Sequence, residues 1–477
     1  MKRRDFLHVM TGAAAGAALP RCSSCAPESG GRKRPNIIFI MADDLGYGHL
    51  GCYGQKLIRT PNIDRLASEG MRFTQAYAGC TVCAPSRSVL MTGLHMGHTP
   101  VRGNSGGIPL REEDVTVAEV LKEAGYATGC FGKWGLGDAG TSGVPTRQGF
   151  DEFFGYLHQV HAHFYYPEYL WHNDKKVPLP GNASGKRGQY SHDVILERAL
   201  EFIRRNRDRP FFCYVPATIP HVELVVPEDS MRPYRGKFKE EFIKDPRPGY
   251  ISARESFATY AGMISRLDDG VGQIMALLRR LSIDDNTVVF FTSDNGAQGG
   301  PWQRLVEMFN GSGPLRATKG SMCEGGIRVP MVARWPGKIK PGTLNEHVWY
   351  FADVMPTLAE LPGATPPKGL DGISIMPTLL GEEVASRKQR EHEYLYWELG
   401  TGKRLRQAVR MGNWKAIRPQ SGASLELYDV STDIGESNNV ATQHPDIVAK
   451  IEVFLKTCRT PPRPQIEPKK PPGRRYR

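Results

Sequence analysis

The chain has 477 residues, 40% hydrophobic and 23% charged, an ordinary composition for a globular protein large enough to form two domains. Its formal net charge of +12 lies almost wholly at the ends, because residues 1–34 contribute +5 and residues 459–477 contribute +6. The remainder is nearly neutral, which argues against a nucleic-acid-binding surface, and no apolar run approaches the ~20 residues of a membrane-spanning helix.

The N-terminus predicts an export signal. It reads MKRRDFLHVMTGAAAGAALP, with the twin arginines Arg3 and Arg4 ahead of a weakly apolar stretch rich in alanine and glycine. We therefore set residues 1–34 apart as a twin-arginine signal and linker, and expect a periplasmic protein. Cys22 leaves lipid anchoring as the weaker alternative, since Arg21 before it fits a lipoprotein cleavage site poorly.

Strand and helix patterns alternate through the next segments. The run PNIIFIMADDLGYG at 35–48 predicts a buried parallel strand ending in a functional loop, and residues 60–78 show helical spacing. Helix followed by strand recurs in three later segments: 116–135, 192–216 and 266–296. This alternation predicts an α/β fold with a mainly parallel central sheet and helices on both faces, where ligands bind at the carboxyl ends of the strands.

The pattern changes after about residue 345. Short strands separated by turns are expected there, followed by a helix; the segments are 393–399, 406–419, 425–430 and 445–457. We therefore divide the chain into a catalytic domain at 35–384, a smaller C-terminal α+β subdomain with an antiparallel sheet at 385–458, and a tail at 459–477. The tail is basic and rich in proline, which predicts disorder.

Cysteines are the next candidates for chemistry. Seven lie beyond the signal: Cys52, Cys80, Cys83, Cys130, Cys213, Cys323 and Cys458. An odd number in an exported protein leaves at least one thiol unpaired or chemically altered. The spacing of Cys80 and Cys83 suits a redox pair, a structural disulfide or half of a zinc site, although no second pair completes a zinc site.

The residues that follow Cys83 are more specific. The run CAPSRSVLMTG at 83–93 resembles the C-x-P-S-R-x-x-L-x-T-G signature of type I sulfatases, and five further blocks in matching order extend the resemblance over most of residues 35–458. The resemblance implies an alkaline-phosphatase-like sandwich and sulfuric ester hydrolysis, of the arylsulfatase-like type found in exported bacterial carbohydrate sulfatases. It also implies that a formylglycine-generating maturation enzyme oxidises Cys83 to formylglycine (3-oxoalanine).

Two polar pairs stand at predicted strand ends. Asp43-Asp44 and Asp294-Asn295 each follow an apolar run, and oxygen ligands from two strands suit a Ca²⁺ or Mg²⁺ ion. A helix cap or a turn is the structural alternative for either pair. The resemblance to sulfatases favours Ca²⁺ and places the modified Cys83 in the same ligand set.

The resemblance also assigns the basic residues. Arg87, Lys133 and Lys319 match the family's cations around the sulfate, and His221 matches the histidine that protonates the departing alcohol with help from Lys319. In this scheme a hydroxyl of the hydrated formylglycine attacks sulfur. A base then removes the proton of the second hydroxyl, which releases sulfate and restores the aldehyde.

The chain departs from the family pattern at Gly135. Many sulfatases read G-K-W-H-L-G, with the histidine as the base of the release step, whereas this chain reads GKWGLG at 132–137. His158, His161 and His163 lie a short way downstream, and we expect His163 to approach the sulfate and take over that step. The alternative is that these imidazoles only line the pocket or pack.

A sulfated carbohydrate is the predicted substrate, in preference to a small aryl sulfate. The aromatic segment at 164–171 suits the apolar faces of a sugar, and Arg102 and Asn104 are candidate substrate contacts. Two other functions stay open. One is a phosphodiesterase or phosphonate hydrolase of the same fold, and the other is a sulfoglycan-binding protein without activity.

Overall fold

The computed structural model describes residues 34–104 and 108–464 of the chain. The predicted export signal, apart from Arg34, and the predicted tail beyond residue 464 lie outside the described residues. Within the described ranges, no helix combines the length and apolar character needed to cross a membrane.

The described residues form sixteen strands, which belong to three sheets. They are β1 (Asn36–Asp43), β2 (Met71–Phe73), β3 (Ala76–Tyr77), β4 (Ala127–Lys133), β5 (Glu152–Tyr156), β6 (Tyr169–His172), β7 (Lys175–Pro178), β8 (Phe211–Pro220), β9 (Thr287–Ser293), β10 (Met331–Arg334), β11 (Thr343–Asn345), β12 (Trp349–Tyr350), β13 (Leu395–Leu399), β14 (Arg406–Met411), β15 (Trp414–Arg418) and β16 (Glu426–Asp429).

The α-helices of the same residues are joined to the strands by loops and short 3₁₀ turns. They are α1 (Pro61–Ser68), α2 (Cys83–Thr92), α3 (Val117–Glu123), α4 (Ser191–Arg205), α5 (Glu228–Met231), α6 (Ser256–Arg280), α7 (Gln303–Met308), α8 (Glu324–Ile327), α9 (Val354–Glu360), α10 (Met376–Leu380), α11 (Glu382–Ala385) and α12 (Pro445–Leu455).

The largest sheet has the strand order β11-β2-β10-β9-β1-β8-β4-β5-β6-β7. Its central strands β9, β1, β8, β4 and β5 are parallel, whereas β10 and the β6-β7 edge pair antiparallel with their neighbours. Every residue of β1, β4, β8 and β9 is buried, as expected for strands covered on both faces. The predicted α/β fold with a mainly parallel sheet is confirmed.

Alternate residues of β1 enter two hydrophobic cores on opposite faces of this sheet. Ile37 and Phe39 belong to the core that also contains the apolar side chains of α2, α3 and α9. Ile38 and Ile40 belong to the core that contains those of α1, α4 and α6. This alternation follows from the two-residue period of a strand, and it gives the helix-sheet-helix layering expected of the fold.

Helix α1 is shorter than the sequence predicts. The helical spacing at 60–78 extends past Ser68, where the helix ends, because Met71–Phe73 forms β2 and pairs with β10. Gly70 permits this close pairing, since a β-carbon there would lie 2.4 Å from the carbonyl oxygen of Ala333. The helix prediction was therefore wrong beyond Ser68, because strand pairing outweighs local helical preference here.

The C-terminal strands form the predicted antiparallel sheet, in the order β13-β14-β15-β16, and α12 follows them. Trp397 of β13 lies in the same core as α2, and its indole N–H donates to the carbonyl oxygen of Ala78 at 2.8 Å. Behind this sheet, Lys415 Nζ is buried 2.8 Å from Glu324 Oε1 and 3.2 Å from Glu436 Oε1. The sheet therefore shares both its core and its buried charges with the preceding part of the chain.

The beginning of the predicted tail contacts the rest of the protein. Arg459 Nε lies 2.7 Å from Glu398 Oε2, and Arg463 Nη1 lies 2.6 Å from Asp114 Oδ2. Both carboxylates are buried. These two arginines therefore connect residues 459–464 to the preceding part of the chain.

Candidate active site

Adjacent strands bring polar side chains to one edge of the central sheet. Asp43 ends β1, Lys133 ends β4, His221 follows the last residue of β8, and Asp294 follows the last residue of β9. These four strands are neighbours and parallel, so their carboxyl ends meet at the same edge. Side chains predicted from four separate segments therefore converge, and all four are buried.

Cys83 begins helix α2 and faces this group. Its Sγ atom lies 3.3 Å from Asp43 Oδ1 and 3.8 Å from Asp44 Oδ1. The thiol of Cys80 instead contacts the carbonyl oxygen of Glu398 at 3.7 Å. All seven cysteines of the described residues are free thiols, so Cys80 and Cys83 form no disulfide, and carboxylates rather than further thiols surround Cys83.

Arg87 stands one helical turn after Cys83 and joins two strand ends. Its Nη2 atom lies 2.8 Å from Asp294 Oδ2, and its Nη1 atom donates to the carbonyl oxygen of Lys133 at 2.5 Å. On the same helix, the hydroxyl of Ser86 donates to the carbonyl oxygen of Asp294 at 2.6 Å. These bonds fix the helix that carries Cys83 against the ends of β4 and β9.

The group fits a divalent cation. One ligand atom from each of Asp43, Asp44, Cys83 and Asp294 lies within 4.8 Å of all the others. Asn295 Nδ2 donates to Asp44 Oδ1 at 2.8 Å, but the buried Asn295 Oδ1 has no hydrogen-bond partner among the described residues. A buried amide oxygen without a partner is costly, and a cation satisfies it. Carboxylate and amide oxygens are the donors that Ca²⁺ and Mg²⁺ prefer.

Basic side chains neutralise the carboxylates. Lys133 Nζ lies 2.7 Å from Asp43 Oδ2, and Lys319 Nζ lies 2.7 Å from Asp44 Oδ2. Burial would raise the pKa of Asp43, but the charges of the neighbouring cations outweigh burial and hold this pKa below its usual range. Burial and the Asp43 charge raise the pKa of Asp294 to about 6. The anionic and cationic side chains of the group are thus nearly in balance.

His221 lies against the same carboxylates. Its Nε2 atom is 3.4 Å from Asp44 Oδ2, and its Nδ1 atom donates to the carbonyl oxygen of Val222 at 2.5 Å. The carbonyl thus keeps a proton on Nδ1, so Nε2 carries one only when the ring is charged. Burial, followed by the charges of Lys319 and Lys133, lowers the pKa of His221 well below its usual value.

One histidine of the segment 158–163 reaches this group. The ring of His163 packs on His221, and its Nδ1 atom lies 2.8 Å from the hydroxyl of Tyr250. His161 packs instead between tyrosines, and His158 Nε2 lies 3.9 Å from a carboxylate oxygen of Asp138. Of the three candidates, His163 is the one whose ring packs on His221.

The side chain of Gln159 occupies the space that a side chain at position 135 would need. Gly135 has φ of +80°, and a β-carbon there would lie 2.7 Å from Gln159 Nε2. Gln159 Nε2 lies 3.4 Å from Asn104 Oδ1, which accepts the backbone N–H of Ala84 at 2.9 Å. Gln159 therefore fills the space beside Gly135, and Asn104 contacts the residue that follows Cys83.

Comparison of the sequence with models of known protein families identifies the family of this chain. The sequence model of the sulfatase family matches residues 35–364. The chain belongs to the sulfatase family. A second model, N-sulphoglucosamine sulphohydrolase, C-terminal, matches residues 317–460 of this sulfatase. The protein is therefore a sulfuric ester hydrolase, and its alkaline-phosphatase-like fold agrees with that of other sulfatases.

Named relatives cover most of this sulfatase. It is 30% identical to N-acetylgalactosamine-6-O-sulfatase of Bacteroides thetaiotaomicron, over 93% of this chain and 97% of that protein. It is 34% identical to arylsulfatase A of Homo sapiens, over 88% of this chain and 86% of that protein. A crystal structure of Ps i-CgsB in complex with k-i-k-neocarrahexaose superposes with a TM-score of 0.74 and 29% identity, over 89% of this chain and 92% of that chain.

Arg102 of the sulfatase lies away from the convergent group. Its Nη1 atom donates to the carbonyl oxygen of Thr460 at 2.8 Å, its Nε atom donates to the carbonyl oxygen of Thr99, and Nη1 lies 3.6 Å from Glu398 Oε1. These contacts hold the segment after α12 and give no support to the predicted substrate contact. An arginine side chain is long and flexible, so the position of the residue in the sequence does not fix which neighbour its guanidinium contacts.

The aromatic segment of the sulfatase divides between core and site. Tyr165 is fully buried in the core, and its hydroxyl lies within hydrogen-bond distance of the carbonyl oxygens of Thr218 and His221, so it supports the site from below without lining it. Phe164 instead packs on Tyr250, with ring centroids 5.1 Å apart. Sequence reasoning missed Tyr250 and its neighbour Arg247, because the loop that carries them matches no motif.

Proposed function

We propose that this sulfatase hydrolyses sulfate monoesters of carbohydrates, using formylglycine at position 83 and a Ca²⁺ ion, with Mg²⁺ as the alternative metal. The observation that carries the proposal is the buried group in which Cys83 Sγ lies among three carboxylates, each paired with a basic side chain. Carboxylates beside a thiol do not favour the thiolate, which supports conversion of residue 83 rather than thiolate chemistry.

The cation would be held by Asp43, Asp44, Asp294 and Asn295, together with the modified residue 83. It would supply positive charge for the ionisation of a hydroxyl and for the binding of an anionic ester. Because three carboxylates and three basic side chains nearly cancel, a bound divalent ion would leave the group positive. Such a site suits a sulfate ester, which is itself an anion.

The chain's own residues then have separate tasks. The hydrated aldehyde supplies the hydroxyl that attacks sulfur. Arg87 and Lys133 hold the sulfate charge, and His221 donates the Nε2 proton of its charged ring to the departing alcohol. Burial and the Lys319 charge lower the pKa of His221, so the negative charge of the bound ester has to offset them for the ring to carry the proton that it donates. His163 is the candidate base for sulfate release, because its ring packs on His221 at the same group.

A carbohydrate is the favoured source of the sulfate ester. The name of the Bacteroides relative states an N-acetylgalactosamine sulfate, and the Ps i-CgsB structure contains a neocarrahexaose. Both similarities extend over about nine-tenths of the chain, which supports a sulfated saccharide over a small aryl sulfate. Asn104, which bonds to the turn at Cys83, stays a candidate substrate contact.

We also propose export to the periplasm through the twin-arginine signal predicted at 1–34, with lipid anchoring at Cys22 as the weaker alternative. The sequence motif carries this proposal. A maturation enzyme that makes formylglycine is then a required partner of the chain before it is active.

The deciding experiment is peptide mapping by mass after co-expression with a formylglycine-generating enzyme, followed by a screen of defined sulfated saccharides. We expect an aldehyde at residue 83 and release of sulfate from at least one saccharide. Phosphodiesters and phosphonate monoesters belong in the same screen, and preferential cleavage of either would replace the proposal with hydrolysis of that class. Tight saccharide binding without turnover by the converted protein would indicate a sulfoglycan-binding protein.

A further inference from the structure

The loop that precedes α6 reaches the histidines of the site. The hydroxyl of Tyr250 in this loop lies 2.8 Å from Nδ1 of His163, whose ring packs on His221 with ring centroids 4.2 Å apart. His163 therefore lies between Tyr250 and His221, the proposed leaving-group acid. It also occupies the Nδ1 edge of His163, so only Nε2 of that ring is left to face the reacting groups.

Tyr250 is itself held in place. The guanidinium carbon of Arg247 lies 3.6 Å from the centre of the Tyr250 ring, a cation–π contact. Arg247 Nε and Nη2 donate to the two carboxylate oxygens of the buried Asp245 at 3.0 and 2.7 Å. The paired carboxylate fixes the plane of the guanidinium, and the guanidinium in turn limits movement of the phenol ring.

The same loop is anchored beside His221. The backbone N–H of Ile251 donates to Glu223 Oε2 at 2.9 Å, and the N–H of Leu224 donates to the carbonyl oxygen of Ile251 at 3.3 Å. Glu223 is buried and lies two residues after His221. The residue next to Tyr250 is therefore tied to the strand end that carries the histidine, so Tyr250 and His221 keep a fixed relation.

We propose that Tyr250, held by Arg247, is the positioning residue of His163. It fixes the orientation of the imidazole so that Nε2 faces the sulfate group, and it acts on the reaction only through His163. A phenol hydroxyl can donate to Nδ1 or accept from it, so the bond fixes the direction of the ring in either neutral tautomer. This inference rests on the role proposed for His163.

The first test is a double-mutant cycle between Tyr250→Phe and His163→Ala. Loss of one hydrogen bond that positions a reacting group should lower kcat by roughly 3- to 10-fold and leave KM nearly unchanged. In the His163→Ala background, Tyr250→Phe should lower kcat no further. Tyr190→Phe is the matched control, because it removes another buried hydroxyl, which bonds to the carbonyl oxygen of Val225.

Several outcomes would overturn the proposal. Equal losses of kcat from Tyr250→Phe in both backgrounds would show that Tyr250 acts independently of His163. A raised KM alone would make Tyr250 a substrate contact instead. No loss of activity in His163→Ala would overturn this inference together with the role proposed for His163. A wild-type protein that hydrolyses no sulfate ester would overturn the proposed function, and that result is read separately from the cycle.

The second test needs no converted enzyme. In the protein with unmodified Cys83, the imidazole ¹H and ¹⁵N resonances of His163 are assigned by their loss in His163→Ala. Tyr250→Phe should shift these resonances, and Tyr190→Phe should leave them in place. If Tyr250→Phe does not fold, Arg247→Gln provides the same reading, because it removes the contact that holds Tyr250. Unchanged His163 resonances in a folded variant would overturn the proposal.

Discussion

The imidazole of His163 stacks on that of His221, with ring centroids 4.2 Å apart and ring planes inclined by 20°. Burial and nearby positive charge lower the pKa of both rings well below the usual value. Two charged rings at this separation would repel each other, so a state with one charged ring is far more favourable than a state in which both rings are charged. When His221 carries the proton for the departing alcohol, His163 is therefore expected to be neutral, as a base must be.

Replacement of His163 should separate the two halves of the reaction. If His163 supplies the base for release, His163→Ala should cleave one ester per active site in a burst and then stall, since sulfate leaves slowly. The steady rate should fall at least ~100-fold, the lower end for a general base. Rapid-quench measurement of alcohol and sulfate tests this. A raised KM without a burst would mean that His163 only contacts substrate.

Removal of the cation should abolish turnover. The buried Asn295 Oδ1 has no hydrogen-bond partner among the described residues and lies beside three converging carboxylates, so a bound Ca²⁺ is expected to satisfy it and hold the active arrangement. Activity is measured after exhaustive chelation and again after addition of Ca²⁺ or Mg²⁺, with buffer-exchanged enzyme as the control. Full activity in the chelated protein would contradict the assignment.

Replacement of Cys83 should remove catalysis without unfolding the protein. The methyl group of Cys83→Ala cannot be converted to the aldehyde, and a maturation enzyme that oxidises only thiols leaves the hydroxyl of Cys83→Ser unchanged, so with such an enzyme neither variant forms a geminal diol. We expect no multiple turnover from either variant, with near-native thermal unfolding. The measurement requires preparations free of host sulfatases, and sustained sulfate release by either variant would refute the formylglycine proposal.

Loss of the buried lysine behind the C-terminal sheet should destabilise the fold. Lys415→Met leaves Glu324 and Glu436 buried without their common cation, which is expected to lower the free energy of unfolding by about 3–5 kcal/mol. Urea denaturation measures the change, and Lys450→Met on the exposed face of α12 is the control. A loss below about 1 kcal/mol would show that these charges are not coupled to folding.

Acid should destabilise the protein through buried histidines. Burial lowers the pKa of His192 from 6.5 to about 4, so between these values the unfolded chain binds the proton and the folded protein does not. The contribution is complete above pH 6.5 and declines as pH falls toward 4, by roughly 3 kcal/mol in all. Unfolding free energies of His192→Leu should show a smaller decline over this range. The half-exposed His172, replaced by Gln, is the control, and an unchanged slope in His192→Leu would contradict the prediction.

The convergence of Asp43 and Asp294 could be predicted because both follow apolar runs, and parallel strands present their ends at one edge. Arg102 and Tyr250 could not be placed in this way. The direction of a long guanidinium and the path of a loop depend on contacts with distant residues, such as Thr460 for Arg102. The extra length predicted for α1 has a similar cause, since the partner strand β10 lies some 260 residues away.

The burial of Cys83 determines whether its modification can take place before or after folding. Only 1% of its surface is exposed in the folded protein, on a helix whose every residue is buried. An enzyme that oxidises this thiol cannot reach it once α2 has packed between the strand ends and the core. If residue 83 is converted as proposed, conversion has to precede folding of the surrounding segments, and a chain that folds first is expected to keep its thiol and to lack activity.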